Sequence, residues 1–169
     1  MYFKFLPNIA YPTPEGKTLL TKDIFIRTGF KTPLINNLSL DAYYVNDGET
    51  PEILADKFYG NPNYHWILLL VNNIVNPYEE WPRTNSALVD HINTKYGAGN
   101  IEGIHHYSIA NTDPEIIVDY DAAKVTSGEH VAVTNFDYEV DLNESKRQIF
   151  LLKPAFAGEF AKQYRRLVS

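Results

Sequence analysis

The sequence predicts an α+β fold: a β-α-α-β centre, an extended N-terminal arm, a mixed helix/strand insertion and a C-terminal helix. Three observations carry this reading. Residues 44–72, YVNDGETPEILADKFYGNPNYHWILLLVN, read as strand, tight turn, helix, turn, helix, with a chemical marker at each boundary. Residues 1–40 are broken by Pro7, Pro12, Pro14, Gly16, Gly29 and Pro33, too many interruptions for a long helix. From Ala98 to Thr126 short apolar and aromatic runs alternate with polar ones, as short antiparallel strands do.

Each element has its own justification. Tyr2-Phe3-Lys4-Phe5 and Ile24-Phe25-Ile26 alternate in strand fashion, so the arm over 1–40 holds one or two short strands. Its apolar groups, among them Tyr2, Phe3, Phe5, Leu6, Ile9 and Tyr11, must be buried against this chain or a neighbour. Tyr43-Tyr44-Val45 suits a strand, and Asn46-Asp47-Gly48 is turn chemistry. Thr50 is an N-cap, Pro51 fits the first helical position, and Ile53, Leu54 and Phe58 give that helix an apolar side. Gly60-Asn61-Pro62 ends it, and Tyr64 to Val71 forms a second, more apolar helix. The core thus covers 41–81.

Residues 82–145 read as an insertion with one helix and short antiparallel strands. Its helix runs from Arg83 to Gly97, capped by Thr84, Asn85 or Ser86, with Leu88, Val89, Ile92 and Tyr96 as its stripe. His106–Ile109, Ile116–Tyr120 and Val131–Thr134 read as strands. Residues 146–169 supply a closing strand, expected to pair Ile149–Leu152 with Tyr43–Val45, and a helix opened by Pro154. Loop-closure cost grows only logarithmically with length, so an insertion of this size is tolerable.

Composition narrows the function. The formal charge of −6 argues against a general nucleic-acid binder. No apolar run reaches the ~18 residues that cross a bilayer, and the first residues lack the pattern of an export signal, so cytoplasmic synthesis is expected. The absence of cysteine excludes disulfides and thiolate metal sites. Of the five histidines, His105 and His106 would point to opposite faces of a strand, a poor metal pair. No positioned nucleophile, metal set or phosphate loop stands out, so the chain reads as a non-enzyme with no cofactor and no metal. A basic end, including Arg165 and Arg166, follows an acidic middle over 111–144.

The central segment resembles the LysM module at Tyr43, Val45, Gly48, Glu49, Thr50, Ile53, Ala55, Phe58, Tyr59, Gly60, Trp66 and Asn72. More specifically, Tyr59-Gly60-Asn61-Pro62, Trp66 to Val71, Asn72 and Asn76-Pro77-Tyr78 resemble the central motif of the small baseplate wedge protein of T-even-type contractile-tailed phages, the gene fifty-three family. Thr21–Phe25 and Asn143–Ile149 resemble its outlying pieces, whereas residues 98–135 carry no motif on which the resemblance can rest. The resemblance implies a structural subunit of the tail baseplate, assembled in the host bacterial cytoplasm. It joins other wedge and hub-proximal tail proteins, without nucleic acid or membrane insertion.

Interface candidates follow from motif, aromatic character and charge: Tyr2, Phe3, Phe5, Tyr59, Asn61, Pro62, Tyr78, Trp81, Arg165 and Arg166. Tyr78 and Trp81, flanked by Pro77 and Pro82, are the better surface candidates, where restrained aromatic rings make good anchors; the alternative is that they fold back over the helix pair. The alternative function is a LysM-type binder of peptidoglycan or other N-acetylglucosamine polymers. It would use the two loops holding Asp47, Gly48, Glu49, Thr50, Asn72, Asn73 and Asn76.

Overall fold

The punctuated arm folds back on itself. In the computed structural model, which describes residues 6–23, 39–112 and 114–168, β1 (Asn8–Pro12) pairs antiparallel with β2 (Thr18–Lys22). Gly16 supplies the positive φ of 76° that the connecting turn needs. Downstream come β3 (Leu40–Tyr44), α1 (Pro51–Tyr59), a 3-10 turn at Pro62–Tyr64, α2 (His65–Val71) and α3 (Pro77–Glu80). Then follow α4 (Asn85–Tyr96), β4 (Ile104–Ile109), β5 (Ile117–Val118), α5 (Ala122–Ser127), β6 (His130–Thr134) and α6 (Asn135–Ser145). The last two elements are β7 (Gln148–Leu152) and α7 (Pro154–Val168). The strands expected at Tyr2–Phe5 and Ile24–Ile26 lie outside the described residues.

These elements form an α+β fold that divides into two compact units. One lies within Met1–Val45, Glu49–Glu80 and Ile149–Ser169, the other within Asn46–Gly48 and Trp81–Gln148.

In the first unit β3 and β7 make a two-stranded sheet, although the first strand lies earlier than its aromatic run suggests. Val45 has left the strand and is wholly buried. The Thr50 hydroxyl accepts the Ile53 N–H at 3.3 Å, Pro51 opens α1, and Gly60 ends it in the left-handed conformation. Asn61 starts the 3-10 turn by accepting the Asn63 N–H at 2.9 Å. α2 then buries Trp66, Ile67 and Leu68. On α7, Ala157, Phe160, Ala161 and Tyr164 recur at helical spacing and all are buried. Trp66 stacks on Phe160 at 6.2 Å and meets Tyr164 at 4.8 Å between ring centroids. Leu6, from the arm, belongs to this same core.

The second unit carries a three-stranded antiparallel sheet in the order β5-β4-β6. Its helices are α4, α5 and α6, where the sequence suggested one. The inward positions of α6 explain the omission: Asn135, Glu139 and Asn143 are its buried residues, a stripe at helical spacing that is entirely polar. Hydrophobic periodicity cannot detect such a helix. α5 is short and has no buried residue at all, but it shows both end signals, an Asp121 cap and a left-handed Gly128.

The expectation that His105 and His106 face opposite ways is also corrected. The β4–β6 register shifts between Ile104 and His106, so an irregularity interrupts the strict alternation. The two rings meet, with Nδ1 of each 2.8 Å apart.

Candidate interaction surfaces

Several motif residues prove to be occupied in holding the fold. Asn72, just past α2, grips one residue of β7 at both ends. Its Oδ1 accepts the Phe150 N–H at 2.7 Å, and its Nδ2 donates to the Phe150 carbonyl at 2.8 Å. A side-chain amide thereby takes the place of a neighbouring strand. Asn143 repeats the device in the second unit. Its Oδ1 accepts the Arg83 N–H at 2.8 Å and its Nδ2 donates to the Arg83 carbonyl at 3.1 Å. Arg147, also buried, pairs with Glu144 at 2.7 Å and lies 3.6 Å from Asp47.

The proposed sugar loops are tied internally in the same way. Asp47 Oδ1 accepts the Asn85 N–H at 3.0 Å, where α4 begins. Gly48 takes a φ of 80°. Glu49 accepts hydrogen bonds from the Tyr43 hydroxyl at 2.8 Å and from Lys57 at 2.9 Å. Those contacts raise the Lys57 pKa, the Tyr43 hydroxyl most of all and Glu49 next. Thr50 is the α1 cap. Asn73, at φ 56°, reverses the chain after α2. Asn76 Oδ1 accepts the Tyr78 N–H at 3.2 Å, while Glu80 accepts the N–H groups of Val75 and Asn76 at 2.9 and 3.2 Å.

That last set of bonds presents an aromatic ring. Tyr78 sits on α3 with 89% of its surface exposed, behind Pro77 and on a turn locked from both sides. The expectation that Trp81 is presented beside it is corrected: Trp81 is only 7% exposed. An indole is too apolar to leave in water when a packing position is within reach. Tyr59 is half-buried against the core, edge-on to Tyr64, and burial pushes its hydroxyl up to about 12. Asn61 and the exposed Pro62 form the joint between α1 and α2. Arg165 and Arg166 are exposed in the last part of α7, where cations suit the carbonyl end of a helix dipole. Tyr2, Phe3 and Phe5 lie outside the described residues.

Apolar exposure runs along the β1–β2 hairpin, where every residue of both strands is exposed. Cross-strand partners share a face, so Tyr11 and Leu19 sit with Ile9 and Thr21 on one side, and Ala10, Leu20 and Pro12 lie on the other. Ile9, Tyr11, Leu19 and Leu20 are all large and open to solvent, Leu20 to 69%. A two-stranded hairpin of this kind has marginal stability alone. Leu6 buried at its base and the Lys22 ammonium donating to the Leu6 carbonyl at 2.8 Å tether it. Leu19 and Leu20 were not singled out in the sequence, because a two-residue apolar run has no period to read.

Among the described residues no group of three or more His, Asp or Glu side chains could hold a metal ion, and no helix is long and apolar enough to cross a membrane. An open depression of about 370 Å³ lies beside Asn111, Lys124 and Glu129.

Comparison with known proteins gives the chain a family. Residues 1–122 match the family model described as base plate wedge protein 53. The chain is also similar to the baseplate wedge protein gp53 of Enterobacteria phage T4, at 27% identity over 99% of this chain and 96% of that protein. A family match over well more than half the sequence, with a full-length relative beside it, places the chain: it belongs to the base plate wedge protein 53 family, structural components of the phage tail baseplate.

Proposed function

We propose that this chain is a noncatalytic clamp, joining neighbouring wedge proteins around the hub through protein–protein contacts. The observation that carries the reading is the β1–β2 hairpin, whose large apolar side chains are exposed on both faces. Contiguous apolar exposure of this kind marks surfaces that another protein covers. Tyr78 adds a fixed aromatic anchor, and Arg165 and Arg166 add positive charge at the end of α7. The greater part of the second unit, Trp81–Gln148, reads as an insertion that enlarges the surface available to partners. The glycan-binding alternative draws no support from its two loops, because the side chains of Asp47, Glu49, Thr50, Asn72 and Asn76 accept or donate internal hydrogen bonds.

The test is capture of purified wedge proteins by the immobilised chain, with insoluble peptidoglycan in parallel. Wedge capture is expected, with no retention on peptidoglycan. The double variant Tyr11→Ser with Leu20→Ser should lose at least tenfold in affinity, about 1.4 kcal/mol, while its melting temperature stays close to that of the parent. Retention on peptidoglycan without wedge capture would reverse the assignment.

A further inference from the structure

His105 and His106 are brought together by the irregularity in β4, and no third ligand among the described residues makes them a metal cluster. Their Nδ1 atoms lie 2.8 Å apart. A hydrogen bond there needs a hydrogen on one nitrogen and a bare lone pair on the other. The far side of His106 is fixed, because its Nε2 lies 3.0 Å from Glu115 Oε1 and donates to that carboxylate. Hydrogen bonds from His106 and then Ser108 hold the Glu115 carboxyl below its ordinary value, so it remains an acceptor in mild acid.

The other ring is fixed by stacking. His105 lies flat on Tyr138 of α6, with centroids 3.9 Å apart and planes 9° from parallel. Tyr96 of α4 meets it edge-on at 6.2 Å. The facing cation on α4 is Lys95, 5.0 Å from the Tyr96 ring and 6.0 Å from the Tyr138 ring, and it is bonded to Glu139.

We propose that His105 and His106 form an acid-sensitive latch, fastening β4 to α6 while at most one of the two rings is charged. One added proton is accommodated, since either imidazolium still finds a bare Nδ1 opposite. A second proton sets two N–H groups head to head and places two positive charges side by side. Glu115 is the carboxylate in contact with His106, and Lys95 adds a further positive charge nearby. The rings part, His105 leaves Tyr138, and α6 loses its aromatic tie to the sheet.

The experiment follows the imidazole nitrogens and the Tyr138 ring of the intact chain by NMR as the pH is lowered through the histidine range, from about 8 to about 5. The expected result is loss of the shared Nδ1–H signal together with a shift of the Tyr138 ring resonances. In parallel, the melting temperature of the parent should fall more over this range than that of His106→Gln. Unchanged Tyr138 resonances once both imidazoles are charged would overturn the latch. So would an equal fall in melting temperature in parent and variant. The NMR titration needs only the parent chain, so it decides the matter even if the variant folds poorly.

Discussion

Two asparagines and one glutamate show how single side chains hold this molecule together. Asn143 is 2% exposed and satisfies both backbone groups of Arg83. Replacing it with alanine strands a part-buried N–H and C=O, so Asn143→Ala should cost about 1–3 kcal/mol in urea unfolding. Asn72→Ala removes the same kind of clasp, but the Phe150 groups that it frees lie near solvent, and about 1 kcal/mol is expected. Glu139 differs, because it carries charge while only 3% exposed. Burial by itself would raise its carboxyl, but hydrogen bonds from Lys95 at 2.6 Å and Tyr96 at 2.9 Å win and hold it below the usual 4.5. Its contribution is therefore complete above the unfolded carboxyl value, about 4.5, and is lost as pH falls from there through the lower folded value. Glu139→Gln should flatten the acid limb of a stability–pH profile below about pH 4.5 and leave its shape above that largely unchanged.

Among the elements, helix ends were the most legible. Thr50, Pro51 and Gly60 bound α1, and Thr84 caps α4, because a cap is satisfied within three or four residues of itself. α7 was legible for another reason: its apolar residues repeat at helical spacing over several turns. α6 was not, because its buried stripe is polar and acquires partners only in three dimensions. Lys95 and Asn100, which bond Glu139 and Asn135, lie 44 and 35 residues away in sequence. The β1–β2 hairpin belongs with the illegible elements, since its strands are fully exposed and no core fixes their pattern. Deleting apolar surface there should leave folding intact. Thermal melts of Tyr11→Ser with Leu20→Ser are expected within a degree or two of the parent, and a large fall would assign those residues to the core instead.

At the level of the whole chain, stability in the first unit rests on segments far apart in sequence. Leu6, Trp66, Leu152, Phe160 and Tyr164 meet in one cluster. Trp66→Ala removes the ring that contacts both Phe160 and Tyr164, so a loss of about 3–5 kcal/mol is expected in denaturant titration. β3 and β7 meet with both core helices and the whole second unit between them in sequence. The candidate surface was read in part. Tyr78 was placed by its prolines and proved the most exposed of the large hydrophobic side chains among the described residues. Trp81 had the same credentials and was buried, since flanking prolines restrain a backbone without saying which way a ring turns.

Local chemistry was enough to establish the α+β class, the α1–α2 pair, the caps and α7. These follow from interactions among residues a few positions apart, or from composition. Packing across the chain chose the rest: the polar inner face of α6, the clasps of Asn72 and Asn143, the meeting of His105 with His106, and the exposure of the hairpin. Each depends on which distant groups arrive to pair or to cover, and a hydrogen-bond donor in a sequence carries no label naming its acceptor.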